Sequence, residues 1–425
     1  MRISNLALLT TVLAASGASA QTADTAKDIL IHDAKVHTVT AAGVLEHGDV
    51  LIHAGKIAEI SARGIKAPQG AVVVEANGRL LTPGMFAGLS HIGIEEISAE
   101  GSTVDANLDF KSPGWDQKWR PEFDVTLAYN PRSTVIPVTR IEGLTWTVLE
   151  PGSLDSIVAG QGSAVAFDGK LEDGRNAALP GSRSLFVHLG SDADSHSGGS
   201  RAAQYMLLDQ AFAEAHAQGS AGEGALLHAA GRIALASYLS GGRVVVEVER
   251  AADILALISF AERNHFKPVI AGGSEAWLVA DALARAHVPV ILNSLQDLPK
   301  AFDQLGSRLD NAARLQQAGV LIAFSSGDTH NARTVRQLAG NAVAHGLAWD
   351  AALAAVTANP AQIFGLGGSR GRIEKGEVAD LVLWNGDPLE VTSAADQVWI
   401  NGRTVDMRSR QTELRDRYLH RSASR

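Results

Sequence analysis

The chain contains no cysteine among its 425 residues. That excludes disulfides, Cys-ligated zinc, iron–sulfur clusters and a cysteine nucleophile. It also lacks any Lys/Arg-rich run, and 37 basic against 46 acidic residues leave a formal net charge of −9. This acidic balance argues against nucleic acid or an anionic membrane surface as the main partner. No stretch of about eighteen apolar residues occurs, so no membrane span is expected. Low-complexity composition is absent as well. With 46% hydrophobic and 20% charged residues, the length suffices for one large domain and a smaller one.

What is present begins with a targeting pattern. Arg2 is followed by a short apolar run, Leu6 to Ala15 (LALLTTVLAA), and then by the small residues Ala18-Ser19-Ala20. The run is too short for a span and reads as a signal peptide over 1–20, with Gln21 opening the mature chain. A buried N-terminal helix is the alternative. The expected localisation is periplasmic or secreted, and a cysteine-free chain suits an oxidising compartment.

From Asp28 to Leu81 short alternating strands are broken by glycine (ILIHDAKVHTV, GDVLIHAGKIAEI, AVVVEANGRLL). Period-two alternation between turn residues predicts a small antiparallel sheet. The C-terminal stretches ADLVLWNGDP and QVWINGRTV have the same character, so residues 28–81 and 366–410 are expected to form one β-domain, a small β-sandwich, with 411–425 as a tail. The middle, 82–365, is different. Continuously apolar strands at 243–248, 267–271, 288–292 and 320–325 alternate with helical periodicity over 251–263, 274–286, 303–318 and 334–345. Strand–helix repeats of this kind demand parallel crossovers with both sheet faces covered. The earlier segments MFAGLSHIGI, GLTWTVLEP, SAVAFDG and SLFVHLG extend the count towards eight. The expected fold class is α/β, a (β/α)8 TIM-like barrel, with an open doubly wound sheet as the alternative.

Several segments resemble the metal-dependent amidohydrolase superfamily, in particular its imidazolonepropionase-like members: GDVLIHAGKIAEI, the LLTPG turn at 80–84, GQGSAVAFDG at 160–169, and the tail NPAQIFGLGGSRGRIEKGEVADLVLWNGDP. The most specific piece is the tail, where Gly371 and Gly376 serve turns and Asp380 opens a strand. The resemblance implies one or two divalent metals at the C-terminal strand ends, held by histidines and a carboxylate. Such an ion acidifies a bound water, and an Asp on the last strand takes its proton. It implies a hydrolase of C–N bonds acting on a small amide, cyclic amide or peptide.

The chain departs from that ligand pattern. Of the first-strand histidine pair only His91 matches, with Leu89 at the other histidine position and Ala87 where an Asp is usual. On the strand at 243–248 the expected histidine falls on Glu247 or Glu249, and Ala271 or a glycine stands where another is usual. The ligand set that remains for one divalent metal, zinc being the expected ion, is His91, Glu247 and Asp328. Asp328 is also the expected proton acceptor, its alternative being an Asx-type cap of the turn before the Thr334 helix. His330, His188 and Arg201 are candidate substrate contacts, Arg201 towards a carboxylate. Glu247 and Glu249 share a strand face, which calls for a cation, a protonation shift or an Arg243 or Arg250 partner. Gly160–Gly162 and Gly198–Gly199 read as tight turns, since no phosphate-loop Lys and Ser/Thr follow. Trp115 and Trp119 lie in an irregular stretch that reads as a lid or as a packed surface loop. The rival to a hydrolase is a catalytically silent paralogue acting as a binding or partner subunit; a homo-oligomer and a heteromer with an active relative are both open.

Overall fold

A computed structural model of the chain describes residues 27–109, 119–153, 156–171, 174–217, 222 and 224–422. The expected signal peptide and Trp115 lie outside the described residues. Among the described residues no helix is long and apolar enough to cross a membrane.

The N-terminal strands are β1 (Ile29–His37), β2 (Val44–His53), β3 (Lys56–Ser61), β4 (Val72–Glu75) and β5 (Leu80–Pro83). The central region holds β6 (Met85–Ser90), β7 (Leu144–Leu149), β8 (Val158–Gly162), β9 (Ala164–Ala166), β10 (Ser184–His188), β11 (Arg243–Val248), β12 (Lys267–Gly272), β13 (Val290–Leu292) and β14 (Ile322–Phe324). The chain ends with β15 (Leu381–Trp384), β16 (Ala395–Ile400) and β17 (Arg403–Thr404).

Both chain ends share one sheet, in the order β17-β16-β15-β5-β1-β2-β3, with β4 beside β1. The junction is the antiparallel pair β15–β5, where Leu381 lies opposite Pro83 and Trp384 opposite Leu80. The strands of the two ends are joined in a single hydrogen-bonded sheet of eight strands. Its core gathers Ile31, Val36, Val50, Ile57, Leu381 and Trp399. The tail motif explains itself here. Gly371 (φ 97°) and Gly376 (φ 94°) occupy the left-handed region at turns. Buried Arg370 pairs with buried Asp380 at 2.5 Å, and the other Asp380 oxygen accepts Asn401 N–H at 2.7 Å.

In the central region β10 to β14 run parallel in sequence order. A second sheet holds β6-β7-β9, and Ser163 alone separates β9 from β8 of the first sheet. The strand formed by β8 and β9 runs antiparallel to both neighbours, β7 and β10. This corrects the expectation of a uniform strand–helix repeat. Residues 150–157 are too few to carry the crossover that a parallel strand requires, so the chain turns back as a hairpin. Gly162 permits the tight return: a Cβ there would sit 1.8 Å from the Leu149 carbonyl oxygen. At the opposite edges, Leu89 N–H donates to Ser325 Oγ at 3.0 Å, bringing β6 and the end of β14 together.

The helices over Ala251–Asn264 and Val335–Ala344 form where their periodicity predicts. Two others are shorter than expected, at Ala280–Arg285 and Asn311–Gln317, each preceded by a 3₁₀ turn. Ser274 does not cap the first of these; its N–H and hydroxyl both serve Glu249, at 2.8 and 2.6 Å.

Candidate active site

Register decides which side chains meet at the strand ends. On β10 to β12, Phe186 lies beside Val245 and Val245 beside Val269, all within one apolar cluster with Trp146 and Val148. Two residues further along, the same strand face carries His188 beside Glu247, and Glu247 beside Ala271. The period of two therefore moves the interior from apolar to polar as the strands reach their C-terminal ends. On β7 the same period runs from Trp146 through Val148 to Glu150, directly after the strand.

These ends hold a three-membered cluster. His188 Nδ1 lies 2.5 Å from Glu247 Oε2, and this hydrogen bond holds the Glu247 carboxyl below its ordinary value. Glu150 interacts with both. Burial, reinforced by the Glu247 charge and opposed by His188, pushes its carboxyl up to about 7. Glu249, one step beyond Glu247 on the same face, accepts from Ser274 and from Gln304 Nε2 at 3.1 Å, while burial raises its carboxyl. The partners foreseen for these acids, Arg243 and Arg250, are engaged elsewhere: Arg250 with Asp253 at 2.7 Å, Arg243 with the carbonyls of Gly181 and Arg183.

A second cluster lies on the loops after β6 and β14. Glu95 accepts from His91 Nδ1 at 2.9 Å and lies 3.3 Å from His330 Nε2. Against the desolvation of burial, hydrogen bonds from His91 and Ser98 hold Glu95 below its ordinary value. His91 N–H donates to Thr329 Oγ1 at 3.0 Å, which ties the two loops together.

The sequence-derived candidates are thus divided. His188 and Glu247 meet, and His91 and His330 meet through Glu95. Asp328 accepts from the N–H groups of His330 and Asn331, both at 3.0 Å, as the Asx-type cap that was its alternative reading. Arg201 is tied to Asp253 at 2.8 Å and to Asp303, holding the Arg201–His216 helix to neighbouring segments. Trp119 is buried in the core and is a packed residue. Among the described residues no group of three or more His, Asp or Glu side chains is placed to hold a metal ion, so His91, Glu247 and Asp328 are not gathered as one ligand set. Sequence reasoning missed Glu150 and Glu95. Glu95 stands four residues after His91, and Glu150 follows the apolar run LTWTVL on the side that faces inward, so both had a signal in spacing.

The comparisons agree with this architecture. The model of the amidohydrolase family matches residues 184–406, rather more than half of the chain. The amidohydrolase tasK of Hapsidospora irregularis is 26% identical over 378 residues, which cover 79% of this chain and 37% of that protein. The chain thus spans little more than a third of the length of that curated relative. The crystal structure of an amidohydrolase from Thermotoga maritima MSB8 superposes with a TM-score of 0.77 at 25% identity, covering 89% of this chain and all of the other. A prolidase crystallised with N-methylphosphonate-L-proline shares the fold, with a TM-score of 0.55 at 16% identity, covering 89% of this chain and all of that one. The chain belongs to the amidohydrolase family.

Proposed function

We propose that the protein hydrolyses a C–N bond of a small amide, cyclic amide or peptide at the C-terminal strand ends of a TIM-like barrel, with Glu150 as the acid–base residue. The observation that carries this reading is the placement of Glu150 directly after β7, with the hydrogen-bonded His188–Glu247 pair at the neighbouring strand ends, where this fold places its chemistry; burial there pushes the Glu150 carboxyl up to about 7. A group with that acidity gives up and takes a proton with equal ease at neutral pH. As the carboxylate, Glu150 accepts a proton from water while the water oxygen bonds to the substrate carbonyl carbon. As the acid, it returns that proton to the nitrogen when the C–N bond breaks. His188 and Glu247 are positioning residues, whose opposing charges adjust the acidity that burial gives Glu150.

The metal expected from the resemblance, one divalent ion such as zinc, does not fit the residues present. Leu89 fills an interior position with Phe86 and Trp146, Ala271 offers no donor, and Asp328 accepts through Oδ1 from two backbone N–H groups and through Oδ2 from the Asn331 amide. The same substitutions favour the second reading, a silent paralogue that binds a small ligand or a partner subunit. Export remains the reading of residues 1–20.

The test is turnover of a panel of dipeptides, N-acyl amino acids and cyclic amides by the wild type and by Glu150→Gln. Removing a general acid–base residue costs about 10²-fold or more in kcat. A loss of that size for any cleaved substrate supports the proposal. Absence of C–N cleavage across the panel favours the silent paralogue, whereas equal kcat in the variant would remove Glu150 from the chemistry.

A further inference from the structure

Two adjoining cavities lie at the opposite pole, among the N-terminal ends of β11 to β14. One of 490 Å³ reaches from the Ala251–Asn264 helix to Ile363, and a neighbour of 430 Å³ shares His287, Val288, Leu321 and Gln362 with it. A volume of this size accommodates a small organic ligand.

Three basic residues line the larger cavity: Arg243, Lys267 and His287. Among the described residues lining it, one is acidic, and that one, Glu262, is exposed. Arg243 is half-buried, stacks its guanidinium 5.6 Å from the Phe364 ring centre, and donates to two backbone carbonyls at 3.3 Å. Among the described residues it forms no ion pair with a carboxylate. In a chain with nine excess acidic charges, this half-buried guanidinium donates, among the described residues, only to backbone carbonyls, so its positive charge is left for an anion entering from the cavity. Burial pushes the guanidinium below its usual range, in keeping with that imbalance. His287 stands in the left-handed region (φ 53°) that favours glycine, yet carries an imidazole onto the rim shared by both cavities. The remaining wall is apolar, from Ile258, Phe266, Val269 and Ile363.

We infer that this cavity is a binding site for a small organic carboxylate with an apolar body, whose charge is met by Arg243 and Lys267 and whose body rests on Ile258, Val269 and Ile363. The site lies at the pole opposite the proposed active site and does not depend on that assignment.

The test is calorimetric titration of the full chain with phenylacetate and with its neutral isostere phenylacetamide at low salt. A charge-assisted hydrogen bond is worth roughly 1.5–3 kcal/mol, which corresponds to about tenfold or more in Kd. The expected result is saturable phenylacetate binding, with phenylacetamide at least about tenfold weaker. Arg243→Gln should weaken phenylacetate by about tenfold and Lys267→Gln by about threefold, while Glu150→Gln leaves it unchanged. Lys267 is exposed, so its variant reports even where Arg243→Gln fails to fold. Equal binding of acid and amide, no binding at all, an unchanged Kd in Lys267→Gln, or a loss in Glu150→Gln would overturn the inference.

Discussion

At the residue scale, environment separates four acids that composition treats alike. Glu247 is held low by His188, Glu95 by His91 and Ser98, while Glu150 and Glu377 are pushed up to about 7 by burial. Glu377 is buried in the β-domain, where it accepts Arg372 N–H at 3.1 Å. Its carboxyl rises in the fold, so the folded protein binds more protons than the unfolded chain between pH 4.5 and 7. Stability therefore falls as pH rises through that window and is level above it. A shift of that size corresponds to about 3 kcal/mol as an upper bound. Glu377→Gln, which keeps an acceptor for Arg372, should flatten this slope in urea titrations between pH 5 and 8. An unchanged slope would show that Glu377 is ionised in the fold at no cost.

The element scale shows what could be read beforehand. Continuous apolar strands and the period of the 251–263 helix were legible because each is decided by neighbours a few residues away. The reversed strand was not, because its direction follows from the eight-residue connection, which the apolar pattern of SAVAFDG does not encode. The ion pairs of Arg201 were not legible for a related reason: its partners Asp253 and Asp303 stand 52 and 102 residues away in sequence. The tail motif was legible as structure, and the Arg370–Asp380 pair gives it an energy. Breaking a buried ion pair by removing one partner costs about 3–5 kcal/mol. Arg370→Met should lower unfolding stability by that amount and uncouple β15 from the Asn401 turn. A loss under about 1 kcal/mol, read by chemical denaturation, would mean that the pair is dispensable.

At the scale of the whole molecule, the fold presents a polar face at the C-terminal strand ends and a basic cavity at the other, linked by β11, which carries Arg243 at one end and Glu247 near the other. Family membership fixes the architecture, whereas chemistry depends on which side chains the strand ends retain. Here, among the described residues, they retain His188, Glu247 and Glu150, and no group of three or more His, Asp or Glu is placed to hold a metal ion. The most direct check is the pH dependence of kcat for C–N cleavage. The account predicts a limb rising with unit slope through about pH 7 as Glu150 ionises, displaced to higher pH in His188→Gln, where the opposing charge is gone. A limb that stays in place in His188→Gln, or persists in Glu150→Gln, would contradict it.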